Sequence, residues 1–212
     1  MRFARIASPV LVFALVSPLW AATEFIVNLD SSQEVGALND PVNATGQGTL
    51  TLVDLGGGNF QWDYEVTISP ELNFSNVTGM PGLDNGGRQV TGFHIHNAAR
   101  GVNGSVIYGL YGPDHDNDDD VVAVLNGDNS TTFTGSWGPT DGNPVGNING
   151  HATNFLLPAV AGEDVPFYFN AHTSINPGGE TRGQIVAVPE PTACLLCLLG
   201  GVPLLSRRKH RK

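Results

Sequence analysis

Lysine is missing from the whole stretch between residues 23 and 188, and arginine occurs there only as Arg88, Arg100 and Arg182. The remaining basic residues lie at the two ends of the chain, whereas nearly all 20 acidic residues lie in the middle. The middle is therefore more acidic than the whole-chain charge of −10 conveys. Without a basic patch to neutralise phosphates, nucleic-acid binding is excluded. An acidic surface favours solubility and attracts divalent cations or basic partners instead.

Cysteine is almost as scarce. Cys194 and Cys197 are the only two, and both lie in an apolar run near the C-terminus. A redox C-x-x-C needs a thioredoxin-like βαβ setting, so this pair reads as apolar filler and residues 23–188 form no disulfide. That stretch also lacks a G-x-S-x-G elbow and a Cys–His pair, which removes the common nucleophilic hydrolases. Uninterrupted apolar runs of the roughly 20 residues needed to span a bilayer as a helix are missing too.

The ends carry their own signals. Residues 1–22 read MRFARIASPVLVFALVSPLWAA: two arginines, an apolar run from Ile6 to Trp20, then small residues. That is the layout of a secretory signal peptide. The other end runs from Pro189-Glu190-Pro191 through an apolar segment to a basic cluster at Arg207, Arg208, Lys209, Arg211 and Lys212. An apolar segment followed by clustered arginine and lysine is a stop-transfer pattern with its basic end in the cytoplasm. This three-part tail resembles the PEP-CTERM sorting signal of bacterial envelope proteins. The resemblance implies transient anchoring in the inner membrane and processing near Pro189, Glu190 and Pro191 by an exosortase-type enzyme. A plain C-terminal anchor is the alternative. The expected organisation is a signal peptide at 1–22, one domain at 23–188 and a sorting signal at 189–212.

Within the domain, residues 59–69 place Phe60, Trp62, Tyr64, Val66 and Ile68 at every second position. Period two marks a strand with one buried face. A preceding strand with Leu50 and Leu52 in alternation joins it through the Gly56–Asn59 turn as a hairpin. Further strands are expected at 23–29, 71–78, 90–96, 105–111, 120–126, 131–137, 165–171 and 181–187. Residues 149–157 can hold one short helix, which Pro158 stops. About ten short strands separated by turns point to an all-β antiparallel sandwich or barrel, and the sandwich, immunoglobulin-like or superoxide-dismutase-like with Greek-key connections, is the one expected. Trp62, Trp137 and Tyr108 are expected in its core.

Two stretches could hold metal. In "GFHIHN", residues 92–97, Phe93 and Ile95 share one strand face and His94 and His96 the other. The apolar pair is expected to face the core and the histidines the outer side. Their Cα atoms then stand about 6.6 Å apart, within reach of one ion. Neutral imidazole suits copper, zinc or nickel, with copper the first choice. His172 is the first candidate for a third ligand and His151 the second. Alternatively, His94 and His96 hydrogen-bond a loop or stand in solvent. In "GPDHDNDDDVV", Asp114, Asp116, Asp118 and Asp120 alternate and could offer calcium several oxygens. The EF-hand pattern fails there, because Asp119 stands where glycine is needed and Leu125 where the final glutamate belongs. A solvated acidic loop is the other reading. The rare Arg182, two residues after Glu180, reads as a structural ion-pair or hydrogen-bonding partner.

Four segments together resemble the chordin-type domain, CHRD: Ser32-Gln33-Glu34-Val35; the hairpin from Gly46 to Ile68; residues 92–110 with their His-x-His and Asn103-Gly104; and "FYFNAHTSINPGGETRGQI", residues 167–185. The resemblance implies a β-sandwich module outside the cytoplasm and implies no reaction. Gly36-Ala37 replaces the prolines usual after the Gln-Glu-Val. "GFHIH" is also similar to one strand of copper/zinc superoxide dismutases, although the bridging-ligand pattern of those enzymes is not visible.

The first reading is a non-enzymatic module of the cell envelope or extracellular matrix. It would bind an exopolysaccharide, a surface partner or its own kind. The second is a copper- or zinc-binding protein using His94, His96 and His172. The third is a small redox or hydrolytic enzyme at the same place, superoxide-dismutase-like being the named case.

Overall fold

A computed structural model of the chain describes residues 23–75, 84–112, 120–141 and 147–188. Ten strands are assigned among them: β1 (Thr23–Asp30), β2 (Thr45–Gly56), β3 (Asn59–Ile68), β4 (Leu72–Asn73), β5 (Arg88–Asn97), β6 (Ser105–Tyr111), β7 (Val122–Leu125), β8 (Thr131–Trp137), β9 (Asp164–Thr173) and β10 (Thr181–Ala187). The β2–β3 hairpin closes through Gly56, Gly57 and Gly58, all at positive φ, where a side chain would be strained. Of the strand expected at 71–78, only Leu72–Asn73 is extended among the described residues. The expected helix is α1 (Ile148–His151), whose preceding Asn147 side chain caps the Gly150 amide. It runs on into a π-helical turn, Ala152–Leu156. No helix among the described residues is long and apolar enough to cross a membrane.

The sandwich expectation is corrected. The strands form one ten-stranded sheet in the order β4-β5-β9-β10-β1-β2-β3-β8-β7, with β6 also on β5. All ladders are antiparallel except β4–β5, which is parallel and makes the sheet mixed. β4 pairs β5 at Arg88 and Gln89, and β6 pairs it from Phe93 to Asn97. The sheet curls into a half-barrel around its own core. Phe93 of β5 meets Phe133 of β8 with ring centroids 5.5 Å apart, although five strands separate them in the order. Tyr108 of β6 stacks on Trp137 of β8 at 5.0 Å. A right-handed twist accumulated over so many strands brings the two ends face to face without a second sheet.

The period-two reading of β3 holds. Trp62 and Ile68 are fully buried, and Phe60, Tyr64 and Val66 are buried with them. Trp62 packs against Phe25, Tyr108, Trp137 and Phe167, so Trp62, Trp137 and Tyr108 are core residues. Burying each such aromatic group supplies the largest apolar contribution any single side chain can make.

Candidate metal centre

The centre is built on β5 and β9. Their antiparallel register sets Gly92 opposite His172, His94 opposite Asn170 and His96 opposite Tyr168. β10 continues the rows, with Arg182 beside Asn170 and Gln184 beside Tyr168. Alternation does put Phe93 and Ile95 on the core face and His94 and His96 on the other. That other face is not an outer surface, and here the expectation is corrected. His94 and His96 are each only 6 % exposed. The Gly104 carbonyl and the Tyr168 ring lie against His96, and the His172 ring lies beside both histidines.

His94, His96 and His172 each offer one ring nitrogen, and these nitrogens lie within 4.8 Å of one another. The His96 and His172 Nε2 atoms approach to 3.1 Å. Nδ1 of His96 lies 3.0 Å from the Gly104 carbonyl oxygen, and Nδ1 of His172 lies 2.9 Å from that of Pro177. A carbonyl only accepts, so each Nδ1 carries the hydrogen and donates it. In the neutral rings both Nε2 atoms are then lone-pair acceptors pointing at one another. Backbone carbonyls that fix a ring's tautomer in this way are the usual outer support of metal-ligating histidines. His94 has neither ring nitrogen hydrogen-bonded, although both are buried. Two nitrogens on a tetrahedral ion, each about 2.0–2.1 Å from it, stand about 3.3 Å apart. The His96–His172 pair already meets that spacing, and His94 is free of hydrogen bonds that would stop its ring from closing in.

Protonation is opposed. Burial, with His172 and His96 adding to it, pushes His94 down to about 3. Burial pushes His96 down to about 4 despite the Gly104 carbonyl, and it lowers His172 as well. Three neutral imidazoles are the form in which a metal is bound.

Gly92 explains the start of the motif. A Cβ built there would stand 2.5 Å from Cε1 of His94, so the ring lies back over the glycine. Sequence reasoning missed that role, and the adjacency of glycine to the His-x-His was its one visible signal. It also missed Tyr168, which stacks on His96 at 4.9 Å and 11°. The Gly104 amide donates to the Tyr168 hydroxyl.

The other candidates fall elsewhere. His151 does not join the cluster. Its Nδ1 shares a hydrogen bond with the Tyr108 hydroxyl at 2.6 Å, beside Phe155 and Phe167. Asp114, Asp116 and Asp118 lie outside the described residues. Asp120 accepts from the Ser136 amide and hydroxyl at 2.9 and 2.7 Å, which gives its carboxylate a structural task. Pro189, Glu190 and Pro191 also lie outside the described residues. Glu180 pairs with Arg88 at 3.0 Å, not with Arg182. Arg182 donates to the Ala99 carbonyl and to Asn103 Oδ1, and its guanidinium carbon lies 3.4 Å from the Tyr168 ring centroid.

No curated protein and no solved structure matches the chain. The CHRD domain profile matches residues 25–185, from β1 into β10, and takes in Glu34, all three clustered histidines and Arg182. The chain belongs to the CHRD domain family.

Proposed function

We propose that this CHRD-domain protein binds one transition-metal ion, copper or zinc, through His94, His96 and His172. One observation carries the reading: the buried His96 and the half-buried His172 turn their Nε2 atoms to each other at 3.1 Å while their Nδ1 hydrogens are given to carbonyls. Two acceptors facing each other at that distance without a donor are unfavourable. A proton between them would relieve this, but burial acts against the charged form of both rings. A metal ion relieves it and also satisfies His94. Elemental analysis after incubation with copper or zinc should give about one ion per chain. The double variant His94→Ala, His96→Ala should give none, and equal metal content in both proteins would sink the reading.

Export and sorting are proposed on the sequence of the two ends. A chain lacking residues 189–212 should be released to the medium or misplaced, and unchanged localisation refutes the sorting reading. Binding of an exopolysaccharide or surface partner rests on composition and family membership. No reaction is proposed.

A further inference from the structure

Building on the metal reading, we propose that the three-histidine site selects copper in its monovalent state over divalent ions, with Arg182 setting that preference through Tyr168. The donors themselves are neutral. Among the described residues no carboxylate or thiolate belongs to the cluster, so ligation leaves the ion's charge uncompensated. The fixed charge behind the ligands is positive. Arg182 is 1 % exposed, and its guanidinium carbon stands 3.4 Å from the Tyr168 ring centroid. Because β9 lies between β5 and β10, the phenol ring separates this cation from the His96 imidazole on which it stacks. The hydrogen bonds of Arg182 run to neutral oxygens, those of Ala99 and Asn103.

Glu34 is the carboxyl that acts on Arg182. It lies against Asn170 at Gly179, and Asn170 is the cross-strand neighbour of both His94 and Arg182. Its Oε1 is buried without a hydrogen-bond partner. Burial raises Glu34 to about 7, against the pull of Arg182, so at neutral pH it offsets only part of the arginine's charge. Coulomb repulsion scales with the product of the charges, so Arg182 repels a divalent ion twice as strongly as a monovalent one. The cost of taking an ion out of water also rises with its charge. Both effects favour Cu(I) over Cu(II) or Zn(II) at this place.

The test uses the full chain, with chelator competition for Cu(I) and for Zn(II), and voltammetry for the Cu(II)/Cu(I) potential. The wild type should bind Cu(I) more tightly than Zn(II) and hold copper at a potential above that of the aqueous couple. Arg182→Gln should lower the potential and reduce the Cu(I)-over-Zn(II) ratio by roughly tenfold. Arg182→Lys, which keeps the charge, should preserve most of that ratio. Glu34→Gln at about pH 8, where the wild-type carboxyl is mostly ionised, should move both quantities the opposite way. A merely structural role would move the Arg182→Gln and Glu34→Gln variants in one direction. If Arg182→Gln fails to fold, the comparison of wild type with Glu34→Gln still decides the sign. Tighter Zn(II) than Cu(I), or variants that shift together or not at all, overturns the proposal and leaves the metal site standing. Absence of any stoichiometric metal overturns both.

Discussion

His96 and His172 face each other through their Nε2 atoms at 3.1 Å, each ring held from behind by a carbonyl. The residues are 76 apart in sequence, and the pairing of β5 with β9 alone brings them together. This contact costs stability unless an ion occupies it. His172→Ala should therefore leave the metal-free protein no less stable, while abolishing the rise in Tm on adding copper or zinc. At a metal concentration 100 times Kd that rise corresponds to about 2.7 kcal/mol in the wild type. Thermal unfolding of both proteins with and without metal measures it.

Gly92→Ala tests the support of His94 without replacing a ligand. The added methyl would stand 2.5 Å from the His94 ring and force it off its place. Metal affinity should fall roughly 10- to 100-fold, the range found for outer-support substitutions. Circular dichroism should stay that of the wild type. An unchanged affinity by chelator competition would remove Gly92 from the site.

Acid should destabilise the metal-free protein. His94 and His96 have folded-state values of about 3 and about 4, below the ordinary 6.5, so the unfolded chain binds protons more readily. Stability from these two groups is complete above about pH 6.5 and is lost as pH falls from there toward about 3, where the His94 contribution ends. Denaturant midpoints over that interval should decline, and less steeply in His94→Ala. A slope identical in wild type and variant contradicts the assignment.

Glu180 is fully buried and holds the loop behind the site. It accepts from Arg88, the Thr173 hydroxyl, the Asn176 side-chain amide and the Val42 backbone amide. Glu180→Ala leaves Arg88 with only the exposed Asp40 as a carboxylate partner and the Thr173, Asn176 and Val42 donors without their acceptor, so unfolding free energy should drop by about 2–3 kcal/mol. Urea titration measures the loss. A change under about 1 kcal/mol would mean that the network is dispensable, as many surface pairs are.

Much of this was legible along the chain. Alternation in residues 59–69 identified the buried face of β3, since side-chain direction in a strand follows from backbone geometry alone. The same rule put Phe93 and Ile95 on one side of β5 and His94 and His96 on the other. Glycines marked the hairpin because few other residues accept its backbone angles. The exposure of the two histidines was misjudged, because their cover includes Tyr168 and His172, which the pairing of β5 with β9 brings in from a distant part of the chain. The sandwich was misjudged for a related reason. Local periodicity states which residues point inward but not which strand pairs with which, and a curled single sheet buries the same alternating pattern as two stacked ones.

The amino-acid sequence by itself determined the strands, their inward residues, the hairpin turn and the candidate ligands, all properties that repeat over two to four neighbouring residues. Tertiary structure decided the single curled sheet, the choice of His172 over His151 as the third histidine, and the burial that keeps the three rings neutral. Those depend on contacts between residues far apart in the chain, whose formation reflects the packing of the whole core and not the preference of any local segment.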